Sequence, residues 1–563
     1  MSALSAKPVT PSSPALRNGG RVLIDALRNN GMDRVFCVPG ESYLAALDAL
    51  HDTPEVALHV CRNEGGAAYM ADAYGKLTGK PGICFVTRGP GATNASCGLH
   101  VARQDSTPMI LLIGQVARGD MGREAFQEID YRKMFGEVAK WVAQIDDAAR
   151  IPEFVNRAWA TATSGRPGPV VLALPEDMLT DLTDVADLPQ WQPVVTQPGN
   201  SDVQRVIQAL ESAKSPMVIV GGSGWSEEAR QQLQTFAQNW KLPVANSFRC
   251  QDYIDNDHAS YVGDLGIGIS PSLSERVKHA DMLLVIGARL GEMTTRGYDL
   301  IDIPLPKQRL VHIHASAEEL GSVYHAEIAI NASPAAFTAA LSEVPPSAPL
   351  AWEAASQQAR SDFEQWNQPI TVGGDVQMAH IMDWLIDNVP DDTIICNGAG
   401  NYTAWIHRFW RFRKVRSQLA PTNGAMGYGV PAAIAAKLIA PQRTVIAFAG
   451  DGCFMMNGQE LATAAQYGAN VIVIVVNNSM FGTIRMHQER EYPRRVVATE
   501  LQNPDFITLA NAYGAHAEQV VKTEEFAEAF NRARSAGKPA LIEIKLDKEI
   551  ISPNTTLTAL RNR

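Results

Sequence analysis

No stretch of this chain stays apolar for anything near the ~20 residues that a membrane-spanning helix needs, and the N-terminus does not run from a basic start into an apolar core as a secretory signal does. The expectation is a protein that engages no membrane and stays cytoplasmic. Positive charge is scarce too: 49 Lys and Arg against 60 Asp and Glu leave a net charge of −11. A nucleic-acid partner is therefore not expected, because a phosphate backbone must be met by clustered cations. Cysteine is thin and scattered. Cys37, Cys61, Cys84, Cys97, Cys250, Cys396 and Cys453 form no Cys-x-x-Cys pair and have no histidine at zinc spacing. That pattern excludes a disulfide framework and a structural zinc site, and the residues read as buried thiols.

What remains is the composition of an ordinary globular enzyme, 46% hydrophobic and 19% charged. At ~150–200 residues per domain, 563 residues predict about three domains. Residues 1–15, rich in Ser, Ala and Pro, are expected to be a disordered lead-in. Short β-branched runs then alternate with helix-like stretches, the pattern of parallel α/β domains. Strand candidates fall at 34–39, 57–61, 83–87, 108–113 and 169–174 in a first unit spanning 16–187. A second unit, 203–345, carries 217–221, 242–246, 281–287 and 309–313, and a third, 370–548, carries 392–396, 443–449, 471–476 and 539–546. The predicted fold class is α/β, with three doubly wound parallel sheets in series. The tail 549–563 has little helical periodicity and reads as an untethered terminus or a lid.

The most informative segment begins with Gly450, Asp451 and Gly452 directly after one buried run and ends with Asn477 and Asn478 directly after the next. Parallel strands end on a common edge, so Asp451 and Asn478 can converge although 27 positions separate them. Carboxylate and amide oxygens on one edge suit Mg²⁺, which completes its shell with phosphate oxygens, and the glycines admit a diphosphate close to the backbone. A lone Gly-Asp-Gly is a common turn, whereas the second strand tip at this spacing makes a cofactor site the better reading.

This pairing resembles the thiamine-diphosphate-binding motif of the enzymes that use that cofactor. The resemblance implies that Asp451, Asn478 and the carbonyl of Met480 hold the metal. It extends to CRNEGGAAYMADAYGKLTG (61–79), which implies that Glu64 activates the aminopyrimidine, and to NGAMGYGVPAAIAAKL (423–438), which implies Met426 as the wedge that bends the cofactor and the Gly424 carbonyl as acceptor for its amino group. TRGPGATNASCGL (87–99) and AFQEID (125–130) match as well, placing Pro90 and Asn94 near the pyrimidine and Gln127 toward the reacting carbon. Gly40, Gly400, Asn401, Gly450, Gly452, Cys453, Phe481 and Gly482 are implied to line the cofactor. The similarity runs from about residue 20 to 545 and is closest to the acetolactate synthase group. It implies pyrimidine-binding, central and diphosphate-binding domains in that order, and a homodimer or homotetramer with active sites between subunits.

The implied reaction is carboligation or decarboxylation of a 2-oxo acid through a C2 ylide and an enamine, with thiamine diphosphate and Mg²⁺ as cofactors. The chain departs from acetolactate synthases at Glu41, where they have Gly, and at Thr483 and His487, where they have Met and Trp. His487 reads equally as a general acid or base and as a surface histidine. Arg408, Arg411, Arg413, Lys414 and Arg416 make the 406–416 segment a candidate cationic rim for a 2-oxo acid or an acyl-CoA. A lyase or decarboxylase of an acyl-CoA, of the oxalyl-CoA or 2-hydroxyacyl-CoA type, is thus the alternative, and a non-catalytic relative the third reading. FAD is disfavoured, because His312, Ile313 and His314 stand where a nucleotide ribose wants a carboxylate at a strand tip.

Overall fold

The computed structural model describes residues 16–562; the disorder expected for residues 1–15 concerns residues outside that range. The first sheet contains β1 (Arg34–Cys37), β2 (Ala57–Val60), β3 (Gly82–Val86), β4 (Met109–Gln115), β5 (Trp141–Gln144) and β6 (Pro169–Pro175), all parallel, in the spatial order β2-β1-β3-β4-β6-β5. β3, β4 and β6 are buried end to end, as strands covered on both faces must be. Two helices leave its C-terminal edge. α1 (Glu64–Thr78) is capped by Asn63, whose side chain accepts from the Gly65 N–H, and ends at Gly79 in the left-handed region at φ 73°. α2 (Pro90–Asp105) starts with proline, which fits the first helical position because no N–H is wanted there. An antiparallel pairing of Arg17–Asn18 with Leu182–Thr183 closes the domain.

The central sheet comprises β7 (Pro216–Val220), β8 (Val244–Asn246), β9 (Tyr261–Asp264), β10 (Met282–Ile286), β11 (Arg309–His314) and β12 (Ile328–Asn331), ordered β9-β8-β7-β10-β11-β12. This domain extends past the expected boundary at 345. α3 (Glu353–Trp366) packs Phe363 against Tyr261 with ring centroids 4.8 Å apart, and Trp352 Nε1 donates to the Trp240 carbonyl, so α3 belongs to the central domain.

The third sheet is built from β13 (Ile394–Asn397), β14 (Gln418–Leu419), β15 (Val445–Gly450), β16 (Ile472–Asn477), β17 (His516–Val520) and β18 (Ala540–Lys545), in the order β14-β13-β15-β16-β18-β17. Counted within each domain, that is the same path as in the first sheet. Around it lie α4 (Gly429–Ile439), α5 (Asp451–Asn457) and α6 (Gly482–Glu491). The tail is not untethered. Ile550–Ser552 pairs with Thr555–Thr556, and α7 (Leu557–Arg561) docks on α6 through Leu557 and Leu560, which cluster with Met480 and Ile551. The thiols are buried as expected except Cys97, which is exposed on α2.

Candidate active site

In an open parallel sheet a ligand crevice opens where successive strands leave a common starting strand in opposite directions. In the third sheet that point lies between β13 and β15, and the segments leaving those strands are 398–401 and 450–453. A cavity of about 1210 Å³ opens there. Its wall includes Gly400, Asn401, Gly424, Met426, Gly450, Asp451, Gly452, Cys453, Asn478, Met480, Phe481, Gly482 and His487. The diphosphate half of the expected site is therefore assembled within one chain.

Asp451 opens α5 and is only 2% exposed. Burial pushes its carboxyl up from the ordinary range, against the pull of hydrogen bonds from Asn503 and from the Gly452 and Ser479 backbone. Asn503 was not foreseen. Its Nδ2 donates to Asp451 Oδ2 at 2.7 Å and to Asn477 Oδ1 at 3.1 Å, tying the two strand tips together. Asn477 is itself fixed, donating to Glu543 Oε1 at 2.6 Å and accepting from the Ser479 N–H at 2.9 Å. Of the Asn-Asn pair the first is thus a structural clamp, and the second lines the cavity. Ser479 turns the chain at φ 55°, between Asn478 and Met480. Among the described residues no cluster of three or more His, Cys, Asp or Glu side chains could hold a metal. Asp451 is a single carboxylate beside amide and carbonyl oxygens, a donor set that fits a hard cation sharing its shell with phosphate.

The glycines have distinct reasons. A Cβ on Gly452 would lie 2.6 Å from Phe481 Cε1, and one on Gly398 would lie 2.6 Å from Cys453 Sγ. Gly424, at φ 71°, has nothing within 4 Å of where its Cβ would point, so it presents bare backbone to the cavity. Met426 stands half-buried in the same wall, its carbonyl accepting from Tyr69 Oη at 3.4 Å.

Gly40, Glu64, Pro90, Asn94 and Gln127 are not part of that wall. They gather instead at the corresponding point of the first sheet, between β1 and β3. Asn94 Nδ2 donates to Glu64 Oε2 at 2.9 Å, a Cβ on Gly91 would lie 3.4 Å from Glu64 Oε1, and Gly89 abuts Gln127, which sits at φ 65°. A Cβ on Gly40 would lie 2.4 Å from Thr87 Cβ, so the two loops touch. Glu41 is held beside them: buried Arg88 donates to Glu41 Oε1 at 3.1 Å and to Glu176 Oε2 at 2.9 Å.

His487 is exposed on α6 and faces the cavity, accepting at Nδ1 from Arg490 Nη2 at 2.5 Å. Thr483 Oγ1 donates to Asn401 Oδ1 at 2.9 Å. Of the cationic rim expected at 406–416, Arg416 lines the cavity, whereas three of the other cations are engaged elsewhere. Arg411 and Arg413 pair with Asp257, Arg413 also with Asp391, and Arg408 stacks 3.9 Å over Trp366. In the central domain the cavity continues between the tips of β7 and β10, past Ser223, Gly224 and Arg289. His312 Nε2 bonds the Ala288 carbonyl at 2.9 Å, and burial holds its pKa down at about 4.

Profiles of three successive domains match this chain: the thiamine pyrophosphate enzyme N-terminal TPP binding domain over residues 17–134, the central domain over 203–341 and the C-terminal TPP binding domain over 398–544. Curated relatives are similar over nearly the whole length. The acetolactate synthase large subunit of Corynebacterium glutamicum is 31% identical over 94% of this chain and 87% of its own. The isozyme 2 large subunit of Escherichia coli is 29% identical over 94% and 96%, and the probable large subunit of Methanocaldococcus jannaschii 31% over 94% and 92%. Three matched domains in the order of the three sheets, with the paired strand tips at the mouth of the cavity, place the chain in the thiamine pyrophosphate enzyme family, as an enzyme of the acetolactate synthase type.

Proposed function

We propose that the protein is a thiamine-diphosphate- and Mg²⁺-dependent carboligase that takes a 2-oxo acid, releases CO₂ and transfers the remaining fragment to a second carbonyl. The observation that carries this is the buried Asp451 carboxylate, which lines the cavity of the third sheet together with Asn478 from the adjacent strand tip. A carboxylate so deeply buried and without a cationic partner is costly unless a metal compensates it. Asp451, Asn478 and the Met480 carbonyl would hold Mg²⁺, and Gly450 and Gly452 would admit the diphosphate. When bound, thiamine diphosphate supplies a carbon nucleophile and an electron sink. Met426 would keep the cofactor bent, and the Gly424 carbonyl would accept from its amino group. Glu64 would hold the proton that makes the aminopyrimidine a base, with Asn94 fixing the carboxylate. Gln127 would orient the reacting carbonyl. Arg490, hydrogen-bonded to His487 in the cavity wall, suits a substrate carboxylate.

Because Glu64 lies outside the cavity of its own chain, the reading includes a dimer or tetramer in which Glu64 of one subunit serves the diphosphate site of another. The acyl-CoA alternative drew on a cationic rim, and the pairing of Arg411 and Arg413 with Asp257 leaves only Arg416 of that segment in the cavity wall, which favours the 2-oxo acid reading. Flavin is not favoured: His312, kept neutral by burial, stands near the strand tip where a nucleotide ribose wants a carboxylate.

Glu64→Gln is expected to lower turnover by two or more orders of magnitude, about 3 kcal/mol or more, while leaving cofactor affinity close to wild type. Pyruvate and other 2-oxo acids, assayed for CO₂ and coupled product alongside tryptophan-fluorescence titration with cofactor, provide the check. Unchanged turnover in the variant would refute the activator assignment.

A further inference from the structure

Glu460 ends the short 3₁₀ turn that follows α5, in the diphosphate-binding domain, yet its carboxylate is spent on the pyrimidine-binding domain of the same chain. It is fully buried. Oε1 accepts from the Asn63 N–H at 2.9 Å and the Arg62 N–H at 3.0 Å, and Oε2 accepts from Thr463 Oγ1 at 2.6 Å. Gly66, one turn into α1, completes the fit, since a Cβ there would lie 2.6 Å from Glu460 Oε1. The helix Leu461–Tyr467 adds two clamps on the same loop: Tyr467 Oη accepts from the Val60 N–H at 2.7 Å, and Gln466 Oε1 accepts from Arg62 Nη2 at 2.6 Å. Val60, Arg62 and Asn63 are thereby each tied to the other domain, and Asn63 also caps the helix. A buried carboxylate taking two consecutive backbone N–H groups fixes the chain more tightly than a packed apolar contact would, because both the distance and the direction of each bond are specified.

We propose that Glu460 is a positioning residue for Glu64: it holds the entry of α1 so that the Glu64 carboxylate meets the cofactor in one orientation. The inference rests on the reading of Glu64 as activator. It also gives a physical route between active sites. Asp451 begins α5, α5 leads into the Glu460 turn, and Glu460 grips the residues before Glu64. In an assembly where Glu64 serves the neighbouring subunit, the metal site of one chain is thus linked through a single short helix to the activator of the next site.

The test uses the full-length assembled protein and Glu460→Gln, which keeps size but puts an amide donor against amide donors. In the cofactor-free protein, hydrogen exchange of the Arg62 and Asn63 amides is expected to accelerate, while the amides of β15 and β16 stay protected. With thiamine diphosphate and Mg²⁺ bound, the rate at which the cofactor's C2 proton exchanges with deuterium is expected to fall on the order of a hundredfold, the scale of a 1 Å misplacement. In a Glu64→Gln background the same substitution should slow that exchange no further, because it acts through Glu64. Exchange at C2 as fast as wild type in Glu460→Gln, or an added loss in the double variant, overturns the proposal. If Glu460→Gln does not fold, Gly66→Ala displaces the carboxylate by steric contact without altering its charge, and the same three readings apply. Should Glu64→Gln itself exchange C2 as fast as wild type, the activator reading fails and this one with it, a result distinguishable because it appears without any change at Glu460.

Discussion

Asn503 sits 52 positions beyond Asp451 in a stretch with no motif, yet it joins the two strand tips of the site. Partners that orient a metal ligand cost about 10- to 100-fold in affinity when removed. Asn503→Ala is accordingly expected to weaken Mg²⁺-dependent binding of thiamine diphosphate by about that factor, with an unchanged far-ultraviolet circular dichroism spectrum. Fluorescence titration of the cofactor-free protein measures it, and wild-type affinity would show that Asn503 orients nothing. The contrast with Asp451 explains what could be read beforehand. Asp451 and Asn478 each follow a continuous apolar run, so strand ends locate them. Asn503, Glu543 and Glu460 reach the site from a loop, the middle of a strand and a turn, and only tertiary structure supplies their partners. His487 is a different case: it read equally as a general acid or base and as a surface histidine, and although it lines the cavity, its hydrogen bond to Arg490, one turn on, has no signal in a pattern of types.

Elements were legible in proportion to how thoroughly they are buried. Within the three six-stranded sheets, every strand that periodicity missed, namely β5, β9, β12, β14 and β17, is at a sheet edge. Edge strands are covered unevenly, and β17 and β12 mix exposed with buried positions, so they lack the long apolar runs of their neighbours. The tail's docking on α6 left no sequence signal for a related reason: its two docking leucines are too few for a periodic pattern. Their role is nevertheless substantial. α7 buries Leu557 and Leu560, each worth about 1.5–3 kcal/mol, and Arg561 Nε lies 3.1 Å from Glu489 Oε2 on α6. Deleting residues 557–563 should loosen α6, which carries Thr483, His487 and Arg490, and the Met480 turn before it. We expect faster proteolysis confined to 480–497 and at least a several-fold rise in KM. A truncated protein as resistant there as the intact chain would mean that α6 stands without α7.

At the scale of the whole molecule, three α/β domains in series were evident from alternation alone, but the order of strands was not, since a register between distant segments leaves no local trace. That order is informative. The first and third sheets follow one path, 2-1-3-4-6-5, while the central sheet runs 3-2-1-4-5-6. Each outer sheet opens its crevice at the same place, one filled by Glu64, Gln127 and Pro90, the other by Asp451, Asn478 and Met480.

If Glu64 serves a neighbouring subunit, as proposed, the chain should behave, in the terms of a geneticist, as two complementing functions on one polypeptide. Take one variant lacking Glu64 and another lacking Asp451, each inactive alone. If they are unfolded together and reassembled at random as pairs, half of the pairs are mixed. Every mixed pair concentrates both lesions in one site and leaves the other whole, so about a quarter of wild-type activity is expected to return. Simple mixing of the two finished proteins should restore nothing until subunits exchange, and the rate of recovery then measures how long a pair stays together. No recovery after full reassembly would place Glu64 and Asp451 in the same chain's site. On the proposed role of Glu64, the position of a single glutamate outside the cavity of its own chain would thus set a rule of inheritance for the activity.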